Sequence, residues 1–183
     1  MVREAPAGNR HLAPLHWGLV PHWAKEMSSG NKLINARSET IHEKPSFRQA
    51  IRSRRCIIPA SGYFEWAATP GGKVPHYITM RDDSPMSLAG IWETWKAPDG
   101  QKLETCSILT TEANSLMASI HDRMPVILHR GEFDRWLDPG DTNPQHLQHL
   151  YKPYPAELMQ LWPVSTLVNS ARNDNPACIR PER

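Results

Sequence analysis

The chain has 183 residues, 39% of them hydrophobic, with seven tryptophans; this suits one folded domain with a full core and is too apolar for a disordered chain. The cysteines Cys56, Cys106 and Cys178 are odd in number and widely spaced, with no CxxC pair, which speaks against a disulfide framework or a structural zinc site and for a reducing compartment. Formal net charge is only +2, yet residues 1–66 carry ten Lys/Arg against five Asp/Glu and residues 67–183 carry eleven against fourteen; the basic front is compatible with a bound polyanion or with ordinary surface variation. No apolar run is long enough to cross a bilayer and no signal-peptide core opens the chain, so it reads as soluble, non-secreted and without a membrane partner.

In chain order, LAPLHWGLV (12–20) reads as a strand. Residues 39–53 read as helical, with a break near Pro45 and Ser46 as N-cap. RCIIPASGYFEW (55–66) reads as two strands around a Pro-Ala-Ser-Gly turn, and TPGGK (69–73) as a tight turn into PHYITM. Residues 88–95 and 102–110 form a hairpin closed at Pro98-Asp99-Gly100. Short helices are expected at 111–120, 131–137 and 144–151, a closing strand at 161–168 and a loose tail over 170–183. Strands dominate the middle and the seventeen prolines favour short elements. The expected class is α+β: a single domain over 1–183 with a mixed, strongly curved or barrel-like sheet and short peripheral helices.

Four segments concentrate polar groups where strand ends or turns can present them: WGLVPHWAK (17–25), NARSET (35–40), GYFEW (62–66) and IHDRMP (120–125). Asn35 and Arg37, two apart on an extended chain, face the same side and suit a phosphate or sugar oxygen; alternatively NARSET is a turn in which Ser38 or Thr40 caps a helix. Glu65 between Phe64 and Trp66 suits a general acid if the aromatics desolvate it, and Trp66 offers a face for a base. Strand alternation supplies the competing reading, with the two aromatics inward and Glu65 in water. His121 and Arg123 repeat the two-residue spacing, and His121 is either a proton shuttle or a buried, backbone-bonded histidine. Arg48, Arg52, Arg54 and Arg55 form either a phosphate track or a solvated face. His146 and His149 suit a surface more than a metal. There is no Walker loop, no GxGxxG and no GxSxG elbow, so neither a nucleotide cofactor nor a hydrolase elbow is expected.

Taken together and in this order, WGLVPHWAK, NARSET, RCIIPASGYFEW, AGIWETW (89–95), CSILTTEAN (106–114), IHDRMPVIL (120–128) and VSTLVNSARNDNPACI (164–179) resemble the SOS response-associated peptidase (SRAP) family of abasic-site processing proteins, over roughly residues 12–179. The resemblance implies a partner, single-stranded DNA containing abasic sites, and no cofactor or metal. It implies cytoplasmic location, at the nucleoid in a bacterium. It also implies a cysteine directly after the initiator methionine. Its α-amine condenses with the ring-opened sugar aldehyde, releasing water, and its thiol then adds to the imine carbon to close a thiazolidine. By residue, the resemblance implies that Asn35 orients the crosslink, Glu65 acts as acid and base, and His121 assists proton transfer at the sugar oxygen. Arg37 and Arg123 would grip phosphates, Trp66 would wedge against bases, and Trp17 would join them on the DNA. The family name adds peptidase activity on the protein's own N-terminus, which an internal Cys106–His121 pair would have to supply here. Residue 2 is Val, so the resemblance implies a missing N-terminal segment of about forty residues and a chain unable to close the thiazolidine.

Overall fold

In the computed structural model, residues 1–4 and 9–182 are described. The strands in chain order are β1 (Val2–Glu4), β2 (Arg10–Leu12), β3 (His16–Trp17), β4 (Asn35–Arg37), β5 (Arg55–Ala60), β6 (Tyr63–Thr69), β7 (Gly72–Met80), β8 (Met86–Lys96), β9 (Lys102–Glu112), β10 (Arg123–Pro125) and β11 (Met159–Pro163). Among the described residues two α-helices, α1 (Ala50–Ser53) and α2 (Phe133–Leu137), and several short 3-10 helices accompany the strands. This is the α+β class with a mixed sheet and short helices expected from the sequence. The chain divides into two compact units: Met1–Pro59, Ser87–Thr111 and Pro125–Pro153 in the first, Ala60–Met86, Glu112–Met124 and Tyr154–Arg183 in the second.

The first unit is built on a sheet in the order β9-β8-β5-β1-β2. The β8–β9 hairpin is antiparallel, whereas β3 and β4 both run parallel to β9. Its inner face carries Leu19, Ala36, Ile91 and Leu109, which close with Ile51 and Trp136 into one core. Arg55 is buried in that core region and donates to the carbonyls of Ile51 (2.9 Å), Arg52 (2.7 Å), Trp136 (2.6 Å) and Asp138. Burial lowers its pKa from the usual arginine value, with Asp141, Tyr151 and Asp138 acting against that shift. Arg54 donates to Glu93 at 2.8 Å. Neither arginine is therefore available for a phosphate track, and neither lies on a solvated helix face.

The second unit holds the antiparallel sheet β11-β7-β6. Phe64, Tyr77 and Trp162 form an aromatic row across it, with ring centroids 5.2 Å and 5.5 Å apart. Such offset and edge-on pairs add to the gain from burial.

Several boundaries differ from the sequence reading. The strand expected over 12–20 is split into β2 and β3: Pro14 lies between them and Gly18, at φ 117°, ends β3. Helix over 39–53 shrinks to α1, because Pro45 has no N–H to donate and disfavours a helical residue before it. The helices expected at 111–120 and 144–151 are the 3-10 turns Met117–Ser119 and Pro144–Leu150. The closing strand starts earlier and stops at Pro163, where Ser165 caps the turn Thr166–Asn169. The tail is not loose up to Glu182; Arg183 lies outside the described residues. Pro176–Ile179 forms a turn capped by Asn175, Cys178 is buried, Trp162 Nε1 donates to the Ile179 carbonyl at 2.9 Å and the Glu182 amide to that of Pro163 at 2.9 Å.

Candidate functional site

Trp17, Asn35 and Arg37 belong to the first unit, and β9 aligns them. Their register partners are Cys106, Ile108 and Thr110. These three alternate positions of one strand share a face and step by roughly 6.6 Å each. β3 and β4 thus lie end to end along β9 and present Trp17, Asn35 and Arg37 in a row on one side of the sheet. The intervening Ala36, paired with Leu109, is fully buried on the other side. Burial of Ala36 is what turns its two polar neighbours outward, and NARSET is accordingly a strand followed by a turn.

Gly18 and Gly30 allow the row to form. Gly18 adopts a positive φ that glycine tolerates, and a Cβ on Gly30 would stand 2.5 Å from the Gly18 carbonyl oxygen. That close approach packs the turn Met27–Lys32 against the end of β3. Trp17 is 54% exposed, and its indole N–H donates to the Ile34 carbonyl at 2.9 Å, which lays the ring beside the start of β4. The Arg37 side chain is exposed and forms no ion pair among the described residues. Trp23, in the same WGLVPHWAK segment, is 58% exposed. It belongs among the candidates, although by residue type alone it could equally have been core.

Glu65, Trp66, His121 and Arg123 belong to the second unit. Partners facing each other in an antiparallel ladder share a face. The register Tyr63↔Ile78, Phe64↔Tyr77, Glu65↔His76 and Trp66↔Pro75 therefore puts Tyr63, Glu65 and His76 on one face and Phe64 and Trp66 on the other. Glu65 and Trp66 are adjacent in sequence but point apart. Glu65 is nonetheless half-buried, not set in open water, and its Oε1 accepts the Trp66 amide at 3.1 Å. The Tyr63 hydroxyl is buried without a hydrogen-bond partner among the described residues; burial first, and then the Glu65 charge, push its pKa well above the usual tyrosine value. His76 Nδ1 lies 3.1 Å from the Val74 carbonyl, which leaves Nε2 as the ring nitrogen open to other partners.

His121 is exposed and precedes β10. Its Nδ1 accepts the Arg123 amide at 3.0 Å, a bond that keeps the proton of the neutral ring on Nε2. The Asp122 carboxylate stands 3.2 Å from the same nitrogen. The loop is fixed by Asn114, whose side chain donates to the Tyr154 carbonyl at 2.6 Å and accepts the Met117 amide at 2.9 Å.

Of the three cysteines, Cys56 and Cys106 are poorly suited as nucleophiles. All three are buried and free. Burial pushes the Cys106 thiol up to about 11 and also raises Cys56 well above the usual thiol value, so both are thiols at neutral pH. His146 is engaged by Asp141 at 3.0 Å, and no group of three His, Cys, Asp or Glu among the described residues could hold a metal ion. No helix among them is long and apolar enough to cross a membrane.

The sequence model of the SOS response associated peptidase (SRAP) family matches residues 1–171. The chain belongs to the SRAP family. Among SRAP relatives, the abasic site processing protein YoqW of Bacillus subtilis is 48% identical over 172 residues, covering 93% of this chain and 77% of that protein. The abasic site processing protein HMCES of Gallus gallus is 34% identical over 203 residues, covering 98% of this chain and 60% of that protein. A crystal structure of a protein from Bacteroides thetaiotaomicron superposes with a TM-score of 0.84 at 36% identity, covering 92% of this chain and 76% of that one.

Proposed function

We propose that this chain is an abasic-site processing protein that binds single-stranded DNA through the row Trp17, Asn35 and Arg37. The observation that carries the reading is the shared face of β9: a stacking ring, an amide and a guanidinium in line at even spacing. Single strands are bound by this combination of aromatic faces and backbone-tracking cations. Arg123 and Trp66 add a phosphate contact and a wedge from the second unit. Within the first unit Asn35 is the group that orients a sugar, and within the second Glu65 and His121 are the groups that move protons. A carboxylate with one oxygen already tied to a backbone amide, and an imidazole held in one tautomer, are suited to that task.

Covalent capture in this chemistry needs one residue that offers both an α-amine and a thiol. The amine displaces the aldehyde oxygen as water, and the thiol adds across the imine while its proton passes to nitrogen. Val2 cannot supply the thiol, and the three cysteines are internal and buried. A polypeptide made as residues 1–183 and nothing more therefore binds without crosslinking. The test is a fluorescein-labelled single strand carrying one abasic site. Anisotropy should report salt-sensitive binding, and a denaturing gel should show no heat-stable band. Absence of binding would overturn the DNA reading; a robust band would overturn the account of the nucleophile.

A further inference from the structure

Trp66 and the closing segment are joined by a contact for which the proton-transfer and phosphate-gripping roles have no use. The indole Nε1–H of Trp66, a donor with no acceptor capacity, donates to Asn169 Oδ1 at 2.7 Å. The two residues are 103 apart in sequence, and the sheet explains how they meet. Trp66 lies opposite Pro75 across β6 and β7, and the Val164 amide donates to the Pro75 carbonyl at 3.0 Å. The chain thus leaves β11 beside Trp66's cross-strand partner and turns at once through Thr166–Asn169, delivering Asn169 to the indole edge. That turn is itself held: Asn173 Nδ2 donates to the Leu167 carbonyl at 2.7 Å.

We infer that Asn169 is a positioning residue that holds the Trp66 indole in one orientation for stacking against a base of a single strand. The inference rests on the single-stranded DNA reading given above. An aromatic side chain stacks on a base with its face, so a bond at its edge fixes the plane without using the stacking surface. Fixing the plane beforehand removes rotamer freedom that binding would otherwise have to remove. Asn is suited to the place: its amide oxygen is a neutral acceptor, and a carboxylate there would repel the phosphates of an approaching strand.

The test is a double-mutant cycle on the full chain with Asn169→Ala, Trp66→Phe and the pair. Trp66→Phe keeps an aromatic face and loses the N–H. Affinity is read by anisotropy of a fluorescein-labelled single-stranded oligodeoxynucleotide carrying one tetrahydrofuran abasic analogue. The Trp66 indole resonance, assigned by its loss in Trp66→Phe, reports the bond without DNA. Asn169→Ala should weaken binding by about three- to tenfold with an unchanged salt slope, and should shift the indole resonance. In the Trp66→Phe background the same substitution should change affinity less than about 1.5-fold, because the bond is already gone. A merely structural Asn169 would weaken binding equally in both backgrounds, and that result overturns the inference. So does wild-type affinity in Asn169→Ala or in Trp66→Phe, while the DNA reading survives both. If the unmodified chain does not bind the probe, the DNA reading fails first and the positioning role falls with it.

Discussion

Arg37→Gln is the substitution whose effect the structure specifies most closely. Arg37 ends the row on β9, exposed and without an ion pair among the described residues, and its backbone is pinned by pairing with Thr110. Gln is shorter but keeps a polar, hydrogen-bonding end on an unbranched stem and deletes one cation, and the position is exposed, so the fold is spared. If Arg37 grips one phosphate, the variant releases one fewer set of counterions. For a single strand each phosphate contact contributes about 0.7 to the slope of log affinity against log salt. Between 50 and 200 mM salt that single contact accounts for about a 2.6-fold change in affinity. One exposed charge-assisted bond is worth about 1.5 kcal/mol, so the loss at 50 mM should be roughly tenfold. At 200 mM it should fall to about fourfold. The assay is anisotropy titration at several salt concentrations, for both proteins, with the same labelled single strand. The two lines should converge as salt rises. Parallel lines would refute the assignment of Arg37 to a phosphate, since a loss without a slope change means a lost packing or hydrogen-bonding contact instead.

Trp17→Ala should show the opposite signature: a loss of about 1–3 kcal/mol in single-strand binding with no change of salt slope, largely recovered by Trp17→Phe. Arg55→Met should leave DNA binding per folded molecule unchanged but cost about 2–5 kcal/mol of stability, read as a lower urea midpoint at constant m-value, because the carbonyls of Ile51 and Trp136 lose a buried donor. His42 has both ring nitrogens buried and without a hydrogen-bond partner among the described residues, and desolvation lowers its pKa from 6.5, with Glu43 opposing and Arg52 adding to the shift. The unfolded chain therefore binds the proton first; stability is present above about pH 6.5 and is lost as pH falls from there through the folded-state pKa. Thermal unfolding followed from pH 7.5 to 5 should show that loss, and His42→Leu should flatten it; an identical pH dependence in the variant would count against the assignment.

Local patterns in the sequence determined much of this protein. The β8–β9 hairpin, the Pro-Ala-Ser-Gly turn, the shared side of Asn35 and Arg37 and the family itself were legible, because turn chemistry, two-residue periodicity and contiguous motifs are properties of neighbours along the chain. Reach was the limit. That Trp17 stands in line with Asn35 and Arg37 depends on β9, some seventy to ninety residues away, accepting two short strands end to end. Whether Glu65 and Trp66 act on one side was open until β7 set their register; once paired, a pleated strand must send them to opposite faces. Arg55 looked like its neighbours in an arginine run, and only the carbonyls converging from α1 and from the end of α2 drew it into the core. The closing segment, rich in Asn and Pro, carried no periodic signal of order. Its order comes from contacts to β11 and Trp66, made by single side chains across long sequence separations. Periodicity records which way a residue points, and only tertiary pairing decides what it meets there.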